Sequence, residues 1–274
     1  TAQDDGKQPH ERLLTQFAAP LNAKTVHAHS PGLAKRESAL TLSRMVHFTL
    51  FGIPVYIRPS FWVVLAIFGG ALSISSVEDL IYPALFVIAG FIAILSHEMG
   101  HALVGRKLGG GQQTIVLELF GGLTSSHGMQ LTRGGRALMI LAGPMMTLLL
   151  GIISLWLTWN IVAPVMTSYN LNFWDLAISP FTAALISPKL YILSCLIMIG
   201  EWWTILNLLP IYPLDGGQLI AQYIRSPRKV FMTGFITAIL IGLLSFQLFH
   251  GYFIPIFMAL FAYSNYREYK NAPF

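Results

Sequence analysis

Ile94-Leu95-Ser96-His97-Glu98-Met99-Gly100-His101-Ala102-Leu103 closes an apolar run that begins at residue 80. A run of that length without charge until His97 predicts a helix that crosses a membrane. On such a helix residues four apart share a face, so the imidazoles of His97 and His101 can point at one metal ion. Glu98 lies about 100° round from His97 and can reach a water bound to that metal. This is the arrangement of a hydrolytic zinc centre. Composition alone would produce such a pattern in a chain of this make-up with odds of about 0.006. Ionisable groups inside an apolar span also cost on the order of 2 to 3 kcal/mol each, which argues for a task beyond hydrogen bonds between helices.

The rest of the composition agrees with a membrane setting. The 274 residues are 54% hydrophobic and only 11% charged, far below the quarter of charged residues usual in a soluble domain. The single cysteine, Cys195, sits in an apolar run, so there is neither a disulfide framework nor a thiolate metal site. Any metal must be held by His and carboxylate. The net charge of +5 comes from Lys and Arg at the ends of apolar segments, a topology signal, and no nucleic-acid partner is expected.

Working outward, residues 1–44 are polar, with prolines at 9, 20 and 31, and read as an N-terminal cytoplasmic extension in which His27 and His29 are solvated. Residues 47–58 carry a Gly and a Pro and suit a short strand or interfacial segment. Spans are expected over 60–75, 80–103, 137–162, 190–209, 231–249 and 252–266. The fold class is thus an all-α polytopic membrane protein of about six transmembrane helices, with a short membrane-associated β-hairpin, and residues 45–274 form one six-helix domain. With six spans every Lys and Arg except Lys189 falls on one side, which the positive-inside rule makes cytoplasmic. The expectation is a multi-pass protein of the plasma or inner membrane with both termini in the cytoplasm. His97 and His101 precede Arg106 by nine and five residues, placing the metal roughly 8 to 14 Å below the cytoplasmic surface.

Between the second and third spans, residues 114–120 alternate and are bounded by Gly109-Gly110-Gly111 and Gly121-Gly122, the pattern of a strand in a hairpin. Apolar non-helical chain at membrane depth must be covered by protein or line a watery cavity. Residues 114–120 are therefore a candidate edge on which an extended peptide docks, with Glu118, Gly121 and Gly122 as contacts. The alternative is a plain surface hairpin.

A catalytic zinc usually takes three protein ligands. The remaining candidates are Glu118, His127, Asp175, Glu201, Asp215 and His250. Asp175 and His250 fall at the far side of the bilayer. Asp215 follows a break at Pro210-x-x-Pro213, precedes Gly216-Gly217, and lies near the cytoplasmic end of its span, the same depth as the histidines. It is the expected third ligand.

His97-Glu98-Met99-Gly100-His101 together with Asn207-x-x-Pro210-x-x-Pro213-Leu214-Asp215-Gly216-Gly217 resembles the site-2 protease family of intramembrane zinc metalloproteases. Phe51-Gly52-Ile53-Pro54-Val55, Gly121-Gly122 and Ala142-Gly143-Pro144 extend the resemblance over roughly residues 47–225. It implies one zinc per chain on His97, His101 and Asp215, with Glu98 as general acid/base. It also implies that Asn207 steadies the substrate or the developing oxyanion, and that the substrate is itself a transmembrane helix in the lipid bilayer, cut near the cytoplasmic face. A zinc transporter or metal sensor is the reading from another class. It would leave Glu98 dispensable and would need polar residues through the far half of the bundle, where Glu201 stands alone.

Overall fold

The computed structural model describes residues 46–119, 121–169 and 172–273. The N-terminal extension at 1–44, with His27 and His29, lies outside them. Two short strands, β1 (Val46–Leu50) and β2 (Ile53–Ile57), open the described chain. They are joined at Phe51-Gly52, where both residues take positive φ (50° and 75°), the backbone of a tight hairpin turn. Helix α1 (Pro59–Phe68) follows, then α2 (Ile81–Gly109), β3 (Gln112–Glu118), β4 (Gly121–His127) and α3 (Arg133–Tyr169). The remainder is helical: α4 (Phe173–Ile178), α5 (Pro180–Ala184), α6 (Pro188–Leu208), α7 (Asp215–Ala221), α8 (Pro227–Phe249) and α9 (Phe253–Asn271).

Among the described residues four helical stretches are long and apolar enough to cross a membrane: Glu78–Gly109, Arg133–Ala163, Pro188–Leu208 and Pro227–Leu248. The stretch expected to span first, 60–75, is helical only to Phe68, where the Gly69-Gly70 pair ends it, Gly70 at φ 86°. Ten residues reach about 15 Å, half of a bilayer core. The last helix, α9, turns polar at Asn265 and carries Arg267, Glu268 and Lys270, so it too falls outside that class. Large apolar side chains stand exposed along the long helices, among them Ile152, Trp156, Leu240 and Leu243, as a lipid-facing surface requires.

The sheet is larger than a hairpin. Its order is β1-β2-β3-β4, with β2 parallel to β3 (Val55 opposite Ile115, Ile57 opposite Leu117) and β3 antiparallel to β4 (Thr114 opposite Ser125, Glu118 opposite Gly121). Residues 114–120 are therefore not the free edge that the sequence suggests, because β3 is paired on both sides. The outer strand next to it is β4. One face of the sheet, Ile53, Val55, Ile57, Ile115 and Leu117, packs on Leu95, Met99 and Ala102 of α2 and on Phe61 and Leu65 of α1. That packing seats the sheet directly over the motif helix.

Small residues bring the long helices together. A Cβ at Gly100 of α2 would collide with the Ala142 carbonyl group and lie 3.1 Å from Gly143 Cα in α3, so these backbones touch where they cross. Gly200 of α6 meets the Thr147 carbonyl of α3 in the same way (3.1 Å), and the Thr147 and Thr204 hydroxyls, both buried, lie 2.9 Å apart. At the other end α2 meets α6 through Tyr82 and Tyr191, whose rings stack edge to face at 5.0 Å. Helices α8 and α9 share a core of Ala238, Met258 and Ala262 with Ile211 from the segment after α6.

Candidate metal centre

His97 and His101 lie one turn apart on α2 and are 2% and 8% exposed, so their rings are withdrawn from water. Asp215, 6% exposed, comes to them from the first position of α7. His97 Nε2 is 3.0 Å from Asp215 Oδ2, His101 Nε2 is 3.3 Å from the same oxygen, and the two Nε2 atoms are 3.1 Å apart. Ligands at about 2.0 to 2.1 Å from a tetrahedral zinc stand about 3.3 Å from one another, which is this triangle. The tautomer also fits. His101 Nδ1 donates to the Met139 carbonyl at 2.8 Å, so in the neutral ring Nε2 presents a lone pair to the other two atoms. Three electron-rich atoms buried at such range need a cation among them. Among the described residues no other trio of His, Cys, Asp or Glu converges this way. Of the other residues weighed as ligands, Glu201 is exposed on α6 and His250 caps α8, while the side chain of Asp175 is outside the described set.

Local sequence explains how each ligand is held. Gly143 presses on the His101 ring: a Cβ there would overlap Nε2 and Cε1 and sit 2.9 Å from Cδ2. Helix α3 thus supports the ring twice, through Gly143 and through the Met139 carbonyl one turn earlier. At the third ligand, a Cβ on Gly216 would run into the Leu208 and Leu209 carbonyls, and one on Gly217 into the Ile211–Tyr212 peptide. The Asp-Gly-Gly sequence lets α7 fold back onto the end of α6. Asn265 of α9, 1% exposed, fastens this turn by donating to the Tyr212 carbonyl at 2.6 Å and to Phe261 at 2.9 Å.

Glu98 is 5% exposed and is met by β4. Thr124 Oγ1 lies 2.7 Å from Glu98 Oε2, to which it donates, and 3.1 Å from the Glu98 carbonyl oxygen. Gly122 covers the same carboxylate so closely that a Cβ would overlap Glu98 Cγ and stand 2.6 Å from Oε1. Gly121 lies on the Trp203 ring of α6. Of the expected substrate contacts, Gly121 and Gly122 therefore border the site, while Glu118 forms an ion pair with Arg58 at 3.0 Å. Asn207 is buried on α6 and its Nδ2 donates to the Trp203 carbonyl at 2.9 Å, one turn back in its own helix. Sequence reasoning did not single out Thr124 or Met139. The alternation of Gly122, Thr124 and Ser126 along one strand face was the available signal for Thr124.

The residues that hold this geometry also carry a family signature. The sequence pattern of peptidase family M50 matches residues 85–249, which include His97, Glu98, His101 and Asp215. The chain belongs to peptidase family M50. This M50 chain is 28% identical over 227 residues to a zinc metalloprotease of Methanocaldococcus jannaschii, a match covering 79% of this chain and 57% of that one. It is 30% identical over 132 residues to the Mycobacterium tuberculosis protein Rip3, covering 48% and 29%. It thus spans little more than half the length of the first of these relatives. A solved structure titled Site-2 Protease from Methanocaldococcus jannaschii shares the fold, with a TM-score of 0.53 at 24% identity over 82% of this chain and 95% of that one. The resemblance drawn from the sequence motifs is borne out.

Proposed function

We propose that this M50 chain is a zinc-dependent intramembrane endopeptidase that hydrolyses a peptide bond in or near a transmembrane segment of a protein substrate. The observation that carries the reading is the buried His97, His101 and Asp215 triangle with the Glu98 carboxylate on the adjacent helix position. Held by His97, His101 and Asp215, zinc would lower the pKa of a water toward neutrality and polarise the scissile carbonyl. Glu98 takes the proton of the attacking water on a carboxylate oxygen and delivers it to the leaving amine nitrogen. Asn207 contributes a hydrogen bond to the carbonyl oxygen or to the substrate backbone, worth about 2 to 4 kcal/mol if it acts on the oxyanion. Gly121 and Gly122 open β4 beside Glu98, and Glu118 ends the strand before them, so an extended peptide paired along β4 would reach the base. A helical substrate must unwind locally first, since its carbonyls are otherwise engaged.

The membrane placement follows the same logic, with residues 45–274 as the proteolytic unit. Arg228 at the start of α8 stacks over Tyr269 near the end of α9 at 4.8 Å, so α9 returns alongside α8. We take this return as one crossing and α1 with residues 69–80 as another, which gives six. Arg58, Arg106, Lys107, Arg225, Arg228, Arg267 and Lys270 then share the cytoplasmic side of a plasma or inner membrane with both termini.

The test is cleavage of a single-span substrate in liposomes by the full chain and by Glu98→Gln, with zinc measured on both. Cleavage by the parent and at least 1000-fold less by a variant that retains about one zinc supports the reading. Equal behaviour of the two zinc-loaded chains sinks it, and a metal-carrying or sensing role takes its place.

A further inference from the structure

We propose that Thr124 is a positioning residue for Glu98, tying the base to the outer strand of the sheet; the inference rests on the proteolytic reading. Thr124 stands 26 positions from Glu98 in sequence, and its hydroxyl reaches both the Oε2 atom (2.7 Å) and the main-chain oxygen (3.1 Å) of that one residue. A carboxylate accepts such a bond strongly, because the acceptor is charged and the site is dry. The hydroxyl therefore fixes which oxygen is occupied. Oε2 is held, while beside Oε1 lies Gly122, which brings no side chain. A proton acceptor needs this kind of restraint, since a loosely held group loses rate steeply with misplacement.

The strand itself is anchored. Thr124 pairs opposite Ile115 in β3, and Ile115 is fully buried. Next in the same face, Gly122 pairs opposite Leu117, also fully buried. The face of β4 that carries Thr124 is therefore fixed relative to α2 by the sheet's own core. Since β4 is also the outer strand, Thr124 joins the acid/base group to the edge along which a substrate would lie. None of these features belongs to the metal ligand set.

The experiment compares Thr124→Val, which keeps the shape and removes the hydroxyl, with Thr124→Ser, which keeps the hydroxyl, in the full zinc-loaded chain cutting the single-span substrate. Valine should lower kcat about 10- to 100-fold with KM and zinc content unchanged, and serine should stay within about threefold of the parent. A second readout needs no turnover. In the metal-free chain Thr124→Val should lower Tm by about 3 °C when Glu98 is present and leave it unchanged in a Glu98→Ala background. Parent-like kcat in the valine variant, equal losses in valine and serine, or the same Tm shift in both backgrounds would each overturn the inference. A parent chain that cuts no faster than Glu98→Gln would overturn the proteolytic reading instead, and the Tm comparison would still decide whether Thr124 holds Glu98.

Discussion

Gly143→Ala should weaken zinc binding although it replaces none of the three ligands. The alanine carbon would overlap His101 Nε2 and Cε1, whereas unbonded carbon and nitrogen rest at about 3.5 Å, so the ring must retreat by about 1 Å. Zinc sites hold their ligand distances within about 0.2 Å. The ring has no easy retreat, because its Nδ1 is tied to the Met139 carbonyl at 2.8 Å in the same helix that carries the new methyl. Either the bond breaks or Nε2 leaves its corner of the triangle. Disturbing a ligand's outer support typically weakens metal binding 10- to 100-fold, or about 1.4 to 2.7 kcal/mol. Overpacking at the Gly100 crossing would add about 1 to 3 kcal/mol of lost stability. Competition against a chromophoric chelator measures the affinity, and Gly151→Ala, whose Cβ meets nothing within 4 Å, is the control on the same helix. A Gly143→Ala chain that is folded and binds zinc within twofold of the parent would refute the reasoning.

Asp215→Asn should lower zinc occupancy at equal free metal at least tenfold, read by metal analysis after dialysis, because it replaces the anionic ligand with a neutral one. Chelation should lower the parent's Tm and readdition of zinc restore it, since a ligand that binds only the folded chain stabilises it by mass action, about 2.7 kcal/mol at 100 times Kd. An unchanged Tm would mean the triangle holds no ion. Thr204→Val and Thr147→Val should each cost about 1 kcal/mol, because the two buried hydroxyls lie 2.9 Å apart and both reach the Pro144 carbonyl; chemical denaturation reads both. Glu118→Ala removes an ion pair exposed by 40% and 37%, and should change stability by less than about 1 kcal/mol and zinc content not at all.

What the sequence revealed and what it hid divide along the range of the interactions. His97 and His101 were legible because one helical turn puts them on one face, a purely local fact. Asp215 was legible because a Pro break and two glycines beside a carboxylate make little sense in lipid unless the chain turns inward there. Thr124 was hidden, since nothing local announces a contact 26 residues away. The pairing of β2 with β3 was hidden for the same reason: residues 47–58 read as a short strand or interfacial segment, but parallel partners are joined only through the intervening α1 and α2. The early end of α1 turned on the Gly69-Gly70 pair, which hydropathy passes over. Gly143 stood out as part of the Ala142-Gly143-Pro144 resemblance; that it packs against the His101 ring appears only once α2 and α3 cross.

Asn265 gives the order of assembly a meaning. The two histidines are made early, but the turn that delivers Asp215 is fastened from α9 by the bond to Tyr212. A nascent chain that has inserted α2 and α3 therefore owns two ligands and no firm third. The centre would mature only when α9 is made and docked, so a half-built chain carries no complete metal site. A chain ending before Phe253 should bind zinc more weakly than the parent by chelator competition, as should Asn265→Leu. Parent-like affinity in both would show that the third ligand stands without that fastening.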